Sequence, residues 1–244
     1  MHQHFSTMKS LYTNNMLLKV FLLTGIVVLS SCGGNNIVRK KPPNLSGIEK
    51  ILILPFKDMA SVFGESMNGR CPVCGKVFTT GEVAQSAADM LTEHVFIQLK
   101  DRKDFELIPS SQAQGVMSDL LAESKKEWQE RELQLEIGRA LNADAIFAGY
   151  VYRFRERVGA KYSVNVPASV AFELHLIRVK DGRVLWSAHL DETQQPLSDD
   201  LFRLNLFLRR KAKWITAKEM AISGLEDIFK DFYMSTETEI LENR

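Results

Sequence analysis

The sequence predicts an α/β (α+β) domain: a mixed β-sheet with helices packed against it. Three observations predict it. "KILILPF", Lys50 to Phe56, is a continuous apolar run closed at Pro55, the pattern of a strand buried on both faces. Helix-period segments then alternate with short strand-like segments, as in βα units. Two period-two runs finally flank Asp181-Gly182, the signature of a β-hairpin.

In chain order, the buried strand covers Glu49–Asp58. A long irregular insertion follows, 58–82, and contains "RCPVCGK". Insertions of this length are usually functional or pinned, and the cysteine pair is the evident pin. "EVAQSAADMLTEHVFIQLKD" is helical, with Val83, Ala87, Met90, Leu91, His94, Val95 and Leu99 on one face. "FELIP" is a short strand ended by Pro109. Serine caps then open a helix from Ser110. "WQERELQLEIGRALNADAIFAG" is a helix ending near Leu141-Asn142, followed by a strand over Asp144–Val158. In the hairpin, Val170, Phe172, Leu174 and Leu176 line one side, and Val184, Trp186, Ala188 and Leu190 alternate on the return strand. His175 and His189 sit on these strands, where sheet histidines are usually solvated or hydrogen-bonded rather than metal-bound. The segment 198–240 reads as two helices. The second is amphipathic through Ile215, Met220, Ile222, Leu225, Ile228, Phe229 and Phe232. The predicted order is β–α–β–α–α–β–β–β–α–α.

The chain has 244 residues, 45% hydrophobic and 25% charged, with a formal charge of +1. This suits one domain with a core of its own and argues against a nucleic-acid binder acting through bulk charge.

The N-terminus has a different character. Lys9 and Lys19 precede "VFLLTGIVVLSSC", whose apolar run is about half the ~20 residues of a membrane-spanning helix. Lysines, apolar run and small residues are the parts of a secretory signal peptide, 1–31. Met1, Met8 and Met16 are alternative starts. Leu29-Ser30-Ser31-Cys32 resembles the bacterial lipobox. That resemblance implies cleavage before Cys32 and a covalent lipid on its thiol; two or three acyl chains anchor stably where one does not. Gly33 stands where enterobacterial inner-membrane retention uses Asp, which favours the outer membrane, facing the periplasm. Residues 32–47 are polar, contain Gly and Pro, and read as a flexible tether. A single periplasmic domain, 48–244, completes the expected organisation.

Cys71 and Cys74 remain as a pair. A c-type haem needs His directly after the second cysteine, and Gly75 is there. A thioredoxin-like motif needs a helix beginning at the pair, whereas "GKVFTTGE" reads as a turn or hairpin. Two readings stay open: half of a structural zinc site, or a local disulfide. One knuckle supplies two of the four ligands zinc requires. His94 is the candidate third, although its place on the helix is better explained as that of a core-edge histidine, and a carboxylate, water or another subunit would supply the fourth. Arg209, Arg210, Lys211, Lys213 and Trp214 form a basic cluster beside a tryptophan. It is a candidate contact for anionic lipid or acidic cell-wall peptide, with a solvated helix end as the plainer explanation.

"KILILPF", "FELIPSSQ", "ALNADAIFAGYVYRF" and "GRVLWSAHLDET" together resemble the superfamily of envelope lipoproteins that includes the curli secretion-channel lipoprotein CsgG and the peptidoglycan-synthase activator LpoB. The amino-terminal domain of TolB has a similar core. The resemblance spans Glu49 to Gln195 and carries no catalytic signature. It implies a membrane-anchored periplasmic accessory or regulatory protein that docks on a cell-envelope assembly of peptidoglycan synthesis, transport or export. A self-assembling ring or channel subunit of the CsgG type is the alternative. Pore-forming strands of about nine to eleven residues with an uncharged outer face are not seen beyond the core hairpins, so the pore is not carried over. No Gly-x-Ser-x-Gly, P-loop, dinucleotide fingerprint or HExxH occurs. A non-catalytic role is therefore expected, with a hydrolase built from scattered residues as the least favoured reading.

Overall fold

The computed structural model describes residues 37–39, 45–123, 127–160, 163–195 and 213–242; side chains of 37–39, 123, 231 and 233–242 are excepted. Strand β2 (Lys50–Ile53) lies parallel to both β6 (Glu106–Ile108) and β7 (Ala145–Arg155). β7 is antiparallel to β10 (Ser169–Arg178), β10 to β11 (Val184–Thr193), and β11 to β1 (Ile37–Arg39). The order across the sheet is β1-β11-β10-β7-β2-β6, and β3 (Lys57–Asp58) extends the contact with β7 beyond Pro55. The expected mixed sheet is thus observed, and its β10–β11 hairpin turns at Asp181-Gly182. There Asp181 Oδ1 accepts from the Arg183 amide at 3.1 Å, and Gly182 has φ +68°, a conformation that costs glycine no steric penalty.

Alternation along the central strands sends side chains to two cores. On the first face Ile51, Ile53, Phe147, Phe172, Leu174 and Trp186 meet helices α2 (Ala87–Leu99) and α5 (Ala217–Glu242). On the second face Leu52, Ile146, Ala148, Tyr150, Tyr152 and Ile177 are covered by α3 (Ser110–Glu123), α4 (Glu130–Ala140) and the cysteine insertion. Among the described residues no helix is long and apolar enough to cross a membrane.

Local chemistry explains the element ends. Asn142, at φ +51°, stops α4 where the sequence predicts it. The Asp144 carboxylate then accepts from the amides of Glu49 and Lys50, both at 2.9 Å, and sets the start of β2. Thr216 and Glu219 form a capping box at the head of α5: Thr216 Oγ1 accepts from the Glu219 amide at 3.0 Å, and Glu219 Oε2 from the Thr216 amide at 2.8 Å. The buried Gln194 side chain, at the end of β11, donates to the Lys213 carbonyl and accepts from the Ile215 amide. This seats α5 against the sheet.

Several expectations change. The insertion is not irregular: it holds α1 (Ala60–Phe63) and a hairpin of β4 (Asn68–Arg70) and β5 (Val77–Thr79). The predicted strand to Val158 ends at Arg155, and a second small hairpin follows, β8 (Val158–Ala160) with β9 (Ser163–Val166). Its residues are too short a run to show a strand period. Val83, expected on the helix, instead bridges to Phe154. Ile37–Arg39, expected within the tether, adds an edge strand. The first of the two predicted C-terminal helices lies outside the described residues.

Candidate metal centre

The insertion hairpin places both cysteines in one tight turn. The Cys71 amide donates to the Lys76 carbonyl at 2.8 Å, and the Gly75 amide to the Cys71 carbonyl at 3.0 Å. Gly75 adopts φ +76°, which closes the turn without strain. The amides of Val73 and Cys74 both point at Cys71 Sγ, each at 3.3 Å. Pro72, which has no amide hydrogen, occupies the turn position from which none is needed. This is a sulfur-binding knuckle made of backbone.

The hairpin is held down by side chains of its own and of β7. Phe78 is buried and stacks on Tyr152, centroids 4.3 Å apart at 17°. Arg153 donates from Nη1 to the Thr79 carbonyl at 2.8 Å, and the Thr80 hydroxyl to the Gly64 carbonyl at 2.6 Å.

The surface beneath the turn belongs to β10. Its period of two sends Glu173 and His175 to the second face, where they meet the cysteines. Cys74 Sγ donates to Glu173 Oε1 at 2.8 Å. His175 Nε2 lies 2.9 Å from the same oxygen and 3.3 Å from Cys71 Sγ. Tyr152 donates to Glu173 Oε2 at 3.4 Å. One ligand atom from each of Cys71, Cys74, Glu173 and His175 falls within 4.8 Å of every other. Cys71, Glu173 and His175 are at most 2% exposed, and Cys74 closes the outer side. Both cysteines are free thiols. Lys76 donates to His189 Nε2; His189 stands opposite Glu173 in register.

Burial sets the electrostatics. It pushes the Cys71 thiol up to about 12, helped by the Glu173 charge and against the pull of the Cys74 and Val73 amides. Cys74 moves up for the same first reason and because it donates to Glu173. Burial would raise the Glu173 carboxyl too, but hydrogen bonds from His175 and the thiols outweigh it and hold it below the usual range. Burial and neighbouring Lys76 bring His189 down to about 4. A buried carboxylate therefore faces two thiols that burial keeps protonated. Two sulfurs, an imidazole nitrogen and a carboxylate oxygen make a complete tetrahedral donor set for a divalent ion. Thiols held this high are poor nucleophiles.

The cysteines stand together as the sequence indicates, but His94 is not with them. It sits on α2, against the first face, with Nδ1 donating to the Met90 carbonyl at 3.0 Å, so the sheet lies between it and the pair. Glu173 and His175 take the places the sequence left open. Lys213 pairs with Glu219 at 3.0 Å and Trp214 is half-buried. Cys32, Arg209, Arg210 and Lys211 lie outside the described residues.

No family model matches the chain, and no curated protein matches it. Solved structures similar to it include a PelC dodecamer from Paraburkholderia phytofirmans, at 14% identity and TM-score 0.45 over 80% of this chain and 95% of that one. An LpoB C-terminal domain from Salmonella enterica is 18% identical, TM-score 0.38, over 62% and 90%. The lipoprotein GNA1162 from Neisseria meningitidis is 11% identical, TM-score 0.37, over 67% and 93%. At these scores the likenesses carry no argument about function, and nothing here extends them to CsgG or TolB.

Proposed function

We propose that the protein is a membrane-anchored periplasmic lipoprotein, a non-catalytic accessory or regulatory factor that docks on a cell-envelope assembly. The observation that carries this reading is Leu29-Ser30-Ser31-Cys32, set between a signal-like apolar run and a mixed α/β domain. Lipid on Cys32 holds the chain at the outer membrane, and the polar residues after it let the domain reach into the periplasm. The cysteine centre supports a non-catalytic role. Its donor atoms are turned on one another and capped by the insertion, which is the arrangement of a fastening rather than of an open reaction site.

The test combines labelling with mass. Cells fed a labelled fatty acid incorporate it into the wild-type protein, and Cys32→Ala abolishes the label and leaves an uncleaved precursor. An unlabelled wild type, or a Cys32→Ala variant of unchanged mature mass, contradicts the anchor. Docking is tested on the detergent-extracted protein. A monomer or dimer that crosslinks to one envelope protein in cells supports the accessory role. A large closed ring of one chain type replaces it with the ring or channel subunit.

A further inference from the structure

We propose that Cys71, Cys74, Glu173 and His175 together bind one zinc ion, a structural centre that fastens the insertion hairpin to β10. The proposal is independent of the lipid anchor and of the docking role.

The donor set selects the metal. Two thiolate sulfurs favour zinc and other soft or borderline ions over magnesium or calcium, and imidazole and carboxylate complete a set that zinc accepts. Distances fit. Zinc bonds of about 2.0–2.3 Å separate tetrahedral ligands by roughly 3.3–3.8 Å. The 3.3 and 2.9 Å contacts between donor atoms need to open by about a quarter and half an ångström, and the 2.8 Å sulfur–oxygen contact by about 0.7 Å, to reach that spacing, within a cluster whose members all lie inside 4.8 Å.

Backbone geometry fits as well. A neutral thiol is a weak acceptor, yet two amides converge on Cys71 Sγ. Amide pairs of this kind match a thiolate. Charge is compatible: two thiolates and the Glu173 carboxylate against a divalent ion leave one negative charge, and Lys76 donates to His189, which stands opposite Glu173 in register. The binding step balances as two S–H bonds broken, two Zn–S bonds formed and two protons released from the thiols; Glu173 binds as the carboxylate, and the imidazole of His175 binds through Nε2 in the tautomer that carries its proton on Nδ1. Four protein ligands leave no coordination position for water or substrate, which marks a structural site rather than a catalytic one. The centre joins residues separated by 99 and 104 positions in the chain. It thereby closes a loop that local sequence does not close.

Zinc per chain is measured on the full mature protein, purified with metals retained. The expected result is one zinc in the wild type and in His94→Ala, and an at least tenfold loss in Cys74→Ser, Glu173→Gln and His175→Ala. Cobalt added to the stripped wild type reports the geometry without any mutation: intense visible bands and a thiolate charge-transfer band are expected. A wild type without zinc whose cobalt form shows octahedral, thiolate-free spectra overturns the proposal. So does a mass two hydrogens short, which is a disulfide. Full zinc content in both Glu173→Gln and His175→Ala overturns the ligand assignment.

Discussion

Phe147→Ala is expected to lower folding stability by about 3–5 kcal/mol, the cost of removing a large side chain from a well-packed core. Phe147 is fully buried in the central strand β7. Its ring meets Trp186, Phe229 and Phe232 with centroids 6.2, 6.1 and 5.9 Å away. Trp186 belongs to β11 and the two phenylalanines to α5, so one ring holds the C-terminal helix to the sheet. These four aromatics surround a space that no single neighbour can refill. For a chain of this size the loss corresponds to roughly 10 °C in melting temperature. Denaturant unfolding measures it directly. A change below about 1 kcal/mol would mean that α5 is not seated on this face.

Gly149→Ala has the second large effect, for the opposite reason. A Cβ at Gly149 would lie 2.4–2.6 Å from three ring atoms of Phe56. That ring has little room to retreat: Phe56 is buried, stands edge-on to Phe172 at 6.3 Å, and its amide donates to Thr92 Oγ1. Overpacking of this kind costs about 1–3 kcal/mol and more when neighbours cannot move. A Phe56→Leu change in the same chain should recover part of the loss, so the two substitutions are expected to be non-additive. A neutral Gly149→Ala, or strict additivity with Phe56→Leu, would contradict the packing described. Both predictions bear on the proposed metal centre, because Ala148, Tyr150 and Tyr152 alternate with Phe147 and Gly149 on β7 and flank Glu173 and His175 on the same face of the sheet.

Much of the fold is legible because it is written locally. "KILILPF", the Asp-Gly turn and the Leu141-Asn142 helix end each carry their own signal, and the structure has β2, the β10–β11 hairpin and the end of α4 at those places. The three-residue strands of the insertion and of β8 are too short to show a period, and they escape for that reason. The centre divides in the same way. "CPVC" followed by glycine announces a knuckle from five residues. Alternation in "AFELHLI" also places Glu173 and His175 on one side of β10, a signal present in the sequence of which only His175 is taken up, as an ordinary sheet histidine. What no local pattern contains is the pairing of that side with a turn about a hundred residues earlier. His94 looks nearer in sequence, yet α2 packs on the other face of the sheet.

Hydrogen exchange of the mature protein, with zinc bound and after removal of the metal by a chelator, tests the central claim that a metal centre fastens the insertion. We expect amides of 68–80 to exchange at least tenfold faster once the metal is removed, while those of β7 and β10 keep their protection. Equal exchange of 68–80 in the two states would contradict the claim and leave Phe78, Arg153 and the hairpin's hydrogen bonds to hold it without metal.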